Sequence, residues 1–301
     1  MQKLIVGVTG LFLALLIVLS VLLWPAHKQV RAAAVEVPGV SVFDSLKTPE
    51  GPVRIYYVNT SDQKLPDSVL THSVFIFEWA DGRQFMLDAG MTEARAIEFG
   101  ENIELALGGD RAQPHGNIAS VLGRDIERVS GVGFTHLHID HTEGVGIFCE
   151  NTSSEPMLLQ TSRQATAHNF NTTEGASIVN SSCLKGQVVD RPGIVTSDVF
   201  PGLGFMGIGG HTPGSTLFAA WLGDQLYVFS GDITNSKAEI IEDKPKQLVY
   251  SYLLVPEDTE QAARLRQWLR ELDAMDQVTV VVSHDLGDIE NSGLAEWTGR
   301  P

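Results

Sequence analysis

Basic residues are scarce in this 301-residue chain. Lys and Arg number 21 against 37 Asp and Glu, a formal net charge of -16. A surface this negative repels phosphate backbones at long range, which excludes nucleic acid as a partner. Charge of either sign is sparse, at 19% of residues, while 43% are hydrophobic, and that balance excludes a largely disordered protein. No internal repeat at solenoid period and no low-complexity segment occurs, so repeat architectures fall away. Cysteine is limited to Cys149 and Cys183; a pair in an oxidising compartment fits, and both lie in one insertion-like stretch.

Charge is also missing locally. From Leu4 to Trp24 no side chain is charged and the run is almost wholly aliphatic, long enough to cross a bilayer core as a helix. The expected organisation is a transmembrane anchor or signal segment over residues 1–25, a tether over 26–50 and a folded body over 51–301. Ala32, Ala33 and Ala34 supply small residues for signal cleavage, which would leave a secreted protein instead. Lys3 and the amino terminus roughly balance Lys28 and Arg31 across the run. A short N-terminal tail usually stays in the cytoplasm, so the body is expected outside it, periplasmic or extracellular.

The body opens with β-type runs, Arg54 to Val58, Ser73 to Trp79 and, after the Asp81-Gly82 turn, Arg83 to Leu87. Thr92 to Leu107 and Asn117 to Val129 space their apolar residues three and four apart, as helices do. Short apolar strands recur at Met157 to Gln160, Phe205 to Ile208, Thr216 to Trp221 and Leu226 to Phe229. Pro256 to Met275 opens as helices open, with Pro256-Glu257-Asp258, and Val278 to Val282 closes as a buried strand. Two sheets with helices packed outside fit this order.

The chemistry concentrates in Phe134-Thr135-His136-Leu137-His138-Ile139-Asp140-His141-Thr142. Neutral imidazole and carboxylate are the ligand types that suit zinc and its first-row neighbours. His136 and His138 are two apart, so extended backbone points both to one side, whereas Asp140 and His141 need the chain to turn. Three further segments end apolar strands with a ligand-type residue: His211 in Gly209-Gly210-His211-Thr212-Pro213-Gly214, Asp232 in Ser230-Gly231-Asp232, and His284 in Ser283-His284-Asp285. Each alone is as well read as structural; with the cluster they make seven ligands, enough for two ions.

From about Val53 to the C-terminus the sequence resembles the metallo-β-lactamase superfamily, through His-x-His-x-Asp-His and the three later segments in the same order. The resemblance implies an α/β, four-layer αββα sandwich. It implies one metal site from His136, His138 and His211, a second from Asp140, His141 and His284, and Asp232 as the bridging carboxylate. Asp88, in Met86-Leu87-Asp88-Ala89-Gly90, matches an early strand-end aspartate that orients ligands. Two divalent ions, zinc first with iron or manganese as alternatives, would activate a bridging hydroxide, and Asp140 would move the proton released on attack.

Only 17 residues follow His284, leaving no room for the helical extension of glyoxalase-like thioesterases. Zinc β-lactamases generally lack the bridging aspartate. Lactonases and related esterases keep all seven ligands. The acyl-homoserine lactonases carry a tyrosine soon after that aspartate; Asp232-Ile233-Thr234-Asn235 has none, leaving Tyr250 and Tyr252 as candidates. The expectation is a hydrolase of an ester, lactone or related small acyl substrate. A β-lactamase, a phosphodiesterase, a mono-iron sulfur oxygenase or a metal-binding protein are the alternatives. Cys149 to Pro192, holding His168 and Phe170, reads as a lid closed by a Cys149–Cys183 disulfide, or else as a surface excursion.

Overall fold

The apolar runs pair into two sheets in the computed structural model, which describes residues 18–189 and 191–299. The first sheet takes β1 (Arg54–Lys64), β2 (Val69–Glu78), β3 (Gln84–Leu87), β4 (Gln113–Pro114), β5 (Val129–Gly133), β6 (Met157–Thr161) and β7 (Lys185–Val189). The second takes β8 (Val195–Thr196), β9 (Leu203–Gly207), β10 (Thr216–Leu222), β11 (Gln225–Phe229) and β12 (Val278–Val281). β13 (Ala295–Glu296) returns to the first sheet and pairs parallel with β1. The orders are β13-β1-β2-β3-β5-β6-β7, with β4 on β1, and β12-β11-β10-β9-β8.

Phenylalanines fill the space between the sheets. Phe75 of β2 meets Phe229 of β11 at 4.7 Å between ring centroids, and Phe205 of β9 stacks on Phe218 of β10 at 5.6 Å. Such rings bury large apolar areas and add about 1 kcal/mol per well-placed pair beyond that burial.

The helices among the described residues are α1 (residues 18–31), α2 (Glu93–Leu107), α3 (Ile118–Leu122), α4 (Ile139–Thr142), α5 (Val145–Asn151), α6 (Ser162–Thr166), α7 (Thr173–Asn180), α8 (Lys237–Ile241), α9 (Thr259–Asp273) and α10 (Leu286–Asn291). α3, α5 and α7 cover the outer face of the first sheet with Leu122, Phe148 and Val179. α9 covers the second with Ala262, Leu265, Leu269 and Leu272, spaced three and four apart. Asp258 caps α9 by accepting from the backbone N–H of Glu260 and Gln261, which is why the helix starts there and not at Pro256. The layers run helix, sheet, sheet, helix.

Three expectations need correction, and a fourth lies mostly outside the described residues. The expected helix from Asn117 to Val129 stops at Leu122, because Gly123 takes φ 54° and the chain continues as a 3-10 turn, Gly123–Arg128. Much of residues 26–50 is packed against the body, not a free tether: Ala26, Val30 and Ala33 are buried, and the 3-10 turn Val40–Leu46 sinks Phe43 and Leu46 into the core beside α9. The stretch Cys149 to Pro192 is not a lid, since β6 and β7 belong to the first sheet and the Cys149–Cys183 disulfide joins α5 to the chain after α7 on the outer layer. The expected transmembrane helix falls mostly on residues 1–17, outside the described residues; among those described, no helix is long and apolar enough to cross a membrane.

Candidate metal centre

Strand direction gathers the ligand-type residues on one rim. β3 and β5 run parallel, and Asp88 and then Thr135 to His141 follow their C-terminal ends. In the second sheet β9, β11 and β12 point the same way, and His211, Asp232 and His284 follow them in turn. β2 runs opposite to β3, so its first residues reach the same rim, where Leu70 bridges to Asp285 across the two sheets.

All seven expected ligands converge there. His136, His138, His211 and Asp232 bring one ligand atom each within 4.8 Å of one another, and so do Asp140, His141, Asp232 and His284. Local backbone explains the first four. His138 is extended (φ -70°, ψ 159°), and the single turn of α4 then swings Asp140 and His141 back, closed by Thr142 Oγ1 donating to His138 O at 2.8 Å. Asp232 is set by Gly231 at φ 58°, where a Cβ would stand 2.8 Å from Thr135 Cβ, so only glycine fits.

The imidazoles are oriented from behind. His141 Nδ1 lies 2.9 Å from Asp88 Oδ2, His211 Nδ1 2.6 Å from Glu257 Oε1, and His284 Nδ1 2.7 Å from Thr71 O. An oxygen on the far nitrogen fixes the tautomer and leaves Nε2 as the free lone pair. Asp88 does more: its carboxylate also accepts from the Thr135 backbone N–H and hydroxyl at 2.8 and 2.9 Å, pinning the end of β5.

The near nitrogens lack ordinary partners. His136 Nε2 and His138 Nδ1 face each other at 2.9 Å, and His211 Nε2 stands 3.3 Å from His138 Nδ1. His141 Nε2 and Asp232 Oδ1 are buried with no hydrogen-bond partner. A cation among these lone pairs would satisfy them, and the donor set of nitrogen and carboxylate oxygen suits zinc, iron or manganese. Electrostatics agree at the first group, whereas at the second burial would lower His141 and His284 but the surrounding carboxylates raise both. Burial lowers His136, His138 and His211; His138 falls to about 3, pressed further by His211. These imidazoles are neutral at pH 7, and no proton competes for them. Burial opposes ionisation of Asp232, yet His284, His136 and His141 hold it well below the usual carboxylate range.

Four residues of the rim, three of them buried and Lys246 half-buried, carry no sequence signal as site residues. In sequence Glu257 is only part of a helix opening, yet it contacts His211. Its carboxyl, raised by burial, is brought to about 2 by Lys246, His211 and Ser251. Lys246 Nζ reaches Glu257 Oε1 at 2.9 Å and Asp232 O at 2.5 Å. His72 on β2 points Nε2 at Asp140 Oδ2, 3.9 Å away, while Nδ1 meets Ser61 Oγ at 2.9 Å. Gln164 donates to Phe134 O and Gly214 O, tying the His136 and His211 loops together. Tyr250 and Tyr252 sit in a π-helical turn, Tyr250–Leu254, and part company: Tyr250 lies under Lys246, 5.2 Å from Nζ, whereas Tyr252 stacks on His27 of α1.

A family model for the metallo-beta-lactamase superfamily matches residues 67–284. No curated protein matches the chain. Among solved structures, B. thuringiensis AiiA with N-decanoyl-L-homoserine at its active site superposes with a TM-score of 0.60 at 15% identity, over 81% of this chain and 98% of AiiA. A probable metal-dependent hydrolase from Staphylococcus aureus gives 0.54 at 17% identity, over 79% and 91%. AidC, a dizinc quorum-quenching lactonase, gives 0.50 at 14% identity, over 72% and 74%. Identities this low show a shared fold only. The family match spans most of the body and both ligand groups, and the chain belongs to the metallo-beta-lactamase superfamily of metal-dependent hydrolases.

Proposed function

We propose that this chain hydrolyses an ester, a lactone or a related acyl bond at two divalent ions, zinc foremost. His136, His138 and His211 hold one, Asp140, His141 and His284 the other, and Asp232 both. The observation that carries this reading is the double membership of Asp232: it completes both four-residue groups, its buried Oδ1 making no hydrogen bond and standing 3.4 Å from His141 Nε2. Two such ions, when bound, supply hydroxide near neutral pH and polarise the attacked oxygen. Asp140 takes the proton released on attack, its Oδ2 already 3.5 Å from His284 Nε2 and 3.6 Å from His141 Nε2. Tyr250 keeps its proton at any ordinary pH, raised by burial and then by Glu257, Asp232 and Asp140, and it donates to the oxygen of the leaving group. AiiA and AidC, crystallised with acyl-homoserines, support an acyl substrate over a phosphodiester.

A panel of lactones, aryl esters, phosphodiesters and β-lactams tests the reading, with metal counted on the purified protein. Turnover of a lactone or ester, two ions per chain, and loss of activity on chelation are expected. One iron per chain with no hydrolysis of any of the four would sink it. We also propose that residues 4–24 hold the protein on a membrane with the body outside the cytoplasm. The uncharged run and the Cys149–Cys183 disulfide support this. Protease added to intact cells should remove the body; protection of the body until the cells are lysed would refute it.

A further inference from the structure

Three elements meet beside the metal centre, and each bares large apolar side chains. α1 stacks His27 on Tyr252 at 4.6 Å and places His27 Nε2 3.0 Å from Tyr252 O, while Gln29 donates to His168 O at 3.1 Å. Asn171 then donates to Leu254 O at 2.7 Å. Helix, loop and π-helical turn are thereby one connected surface. On it Val21, Leu22 and Trp24 are 60–69% exposed, Phe170 56%, Leu248 75%, Val249 60% and Leu254 51%. Two residues inward from Leu248, Lys246 touches the backbone of Asp232.

Scattered exposed hydrophobics are ordinary, but a cluster of seven on contiguous elements marks an interface. Its chemistry favours a lipid surface. The sequence leading into α1 carries no charge from Leu4 onward, and α1 beyond Trp24 turns basic, with exposed Lys28 and Arg31. Exposed Lys244 precedes the Leu248–Val249 pair. Apolar side chains edged by Lys and Arg are the pattern of a protein seated among acyl chains and anionic headgroups.

We propose that this face rests on a bilayer, so that the metal centre opens at the membrane surface and takes amphiphilic acyl substrates from it. The substrate part rests on the hydrolase reading above; the seating does not.

Tryptophan quenching separates the two. Full-length protein carrying W24F keeps Trp79, Trp221, Trp268 and Trp297, all buried, and its own emission is subtracted. In it a tryptophan is placed at Val249 or, as control, at Val53, which is 48% exposed on the first strand's approach, away from the rim. Both are reconstituted in phosphatidylcholine–phosphatidylglycerol vesicles containing bromine-labelled acyl chains. Tryptophan at 249 should lose about half its emission and that at 53 almost none, as for a side chain lying 5–10 Å into the headgroup boundary. Equal quenching at the two positions overturns the seating, and so does a doubled particle mass in detergent abolished by V249S, which would assign the face to a second copy. The triple variant F170S/V249S/L254S should lose roughly tenfold in rate on vesicle-borne long-chain lactone while keeping its rate on a short soluble one. Parallel loss on both would overturn the substrate claim and leave the quenching result standing.

Discussion

Glu257 Oε1 stands 2.6 Å from His211 Nδ1, both buried, and Lys246 Nζ reaches the same oxygen at 2.9 Å. One carboxylate thus fixes the imidazole of one metal group and anchors the cation above the backbone of Asp232. Glu257→Gln keeps the shape but halves the charge pattern. Its affinity for metal at the His136, His138, His211 group should fall roughly 10–100-fold, as for other partners of a ligating histidine. Competition with a chromophoric chelator measures it; unchanged affinity would show that the contact only packs.

Asp232 belongs to both groups, so its loss should not resemble the loss of a peripheral ligand. Asp232→Ala is expected to carry almost no metal, whereas His284→Ala keeps close to one ion per chain. Elemental analysis after gel filtration distinguishes them, and two ions in Asp232→Ala would contradict the assignment.

Tyr250→Phe removes the one hydroxyl assigned to the leaving oxygen. The turnover number should drop about 10²–10⁴-fold, the range for a positioned proton donor, with metal content unchanged. If turnover is unaffected, the donor is some other group.

Asp288 gives a pH dependence away from the ligands. Burial raises its carboxyl, Lys237 opposes, and Asp285 and Asp273 add to the rise, to about 6 from the usual 3.8. The folded state therefore binds this proton more tightly than the unfolded one. Its contribution favours folding below about pH 4 and is lost as pH climbs through 6. Asp288→Asn should gain about 1 kcal/mol over the native protein at pH 7.5 and little at pH 4.5, allowing for partial exposure of the site. Urea unfolding at the two values checks this; an equal effect at both would refute it.

The Cys149–Cys183 disulfide closes a 34-residue separation on the outer layer. Replacing both cysteines by serine should cost about 3 kcal/mol of stability by the loop-entropy argument, yet leave the rate constant of hydrolysis as it was. A loss of activity at temperatures where the variant is folded would tie the bridge to the site after all.

How far the sequence spoke depended on whether a residue's neighbours were local. His136 to His141 lie in six consecutive positions, and His211, Asp232 and His284 each end an apolar strand, so strand periodicity alone put them on a rim. Glu257, Lys246, His72 and Gln164 act across 11 to 50 residues of chain, through contacts that no short pattern encodes. Phe43 and Leu46 were missed for a related reason: a 3-10 turn buries only one or two side chains and leaves no period to detect. The stretch after Cys149 misled because β7 is an exposed edge strand, polar like a loop.

The ligands divide between the two sheets: His136, His138, Asp140 and His141 come from the first, His211, Asp232 and His284 from the second. Ions held among them would act as rivets through the seam. Stripping the metal would then do more than silence the chemistry. Four acceptor-rich loops would be left facing one another without their common counter-charge, and the rim would spring open while the phenylalanine seam below stayed shut. Melting temperature should accordingly track metal concentration, and the demetallated protein should be cut first in the loops around His138, Gly210 and Asp232.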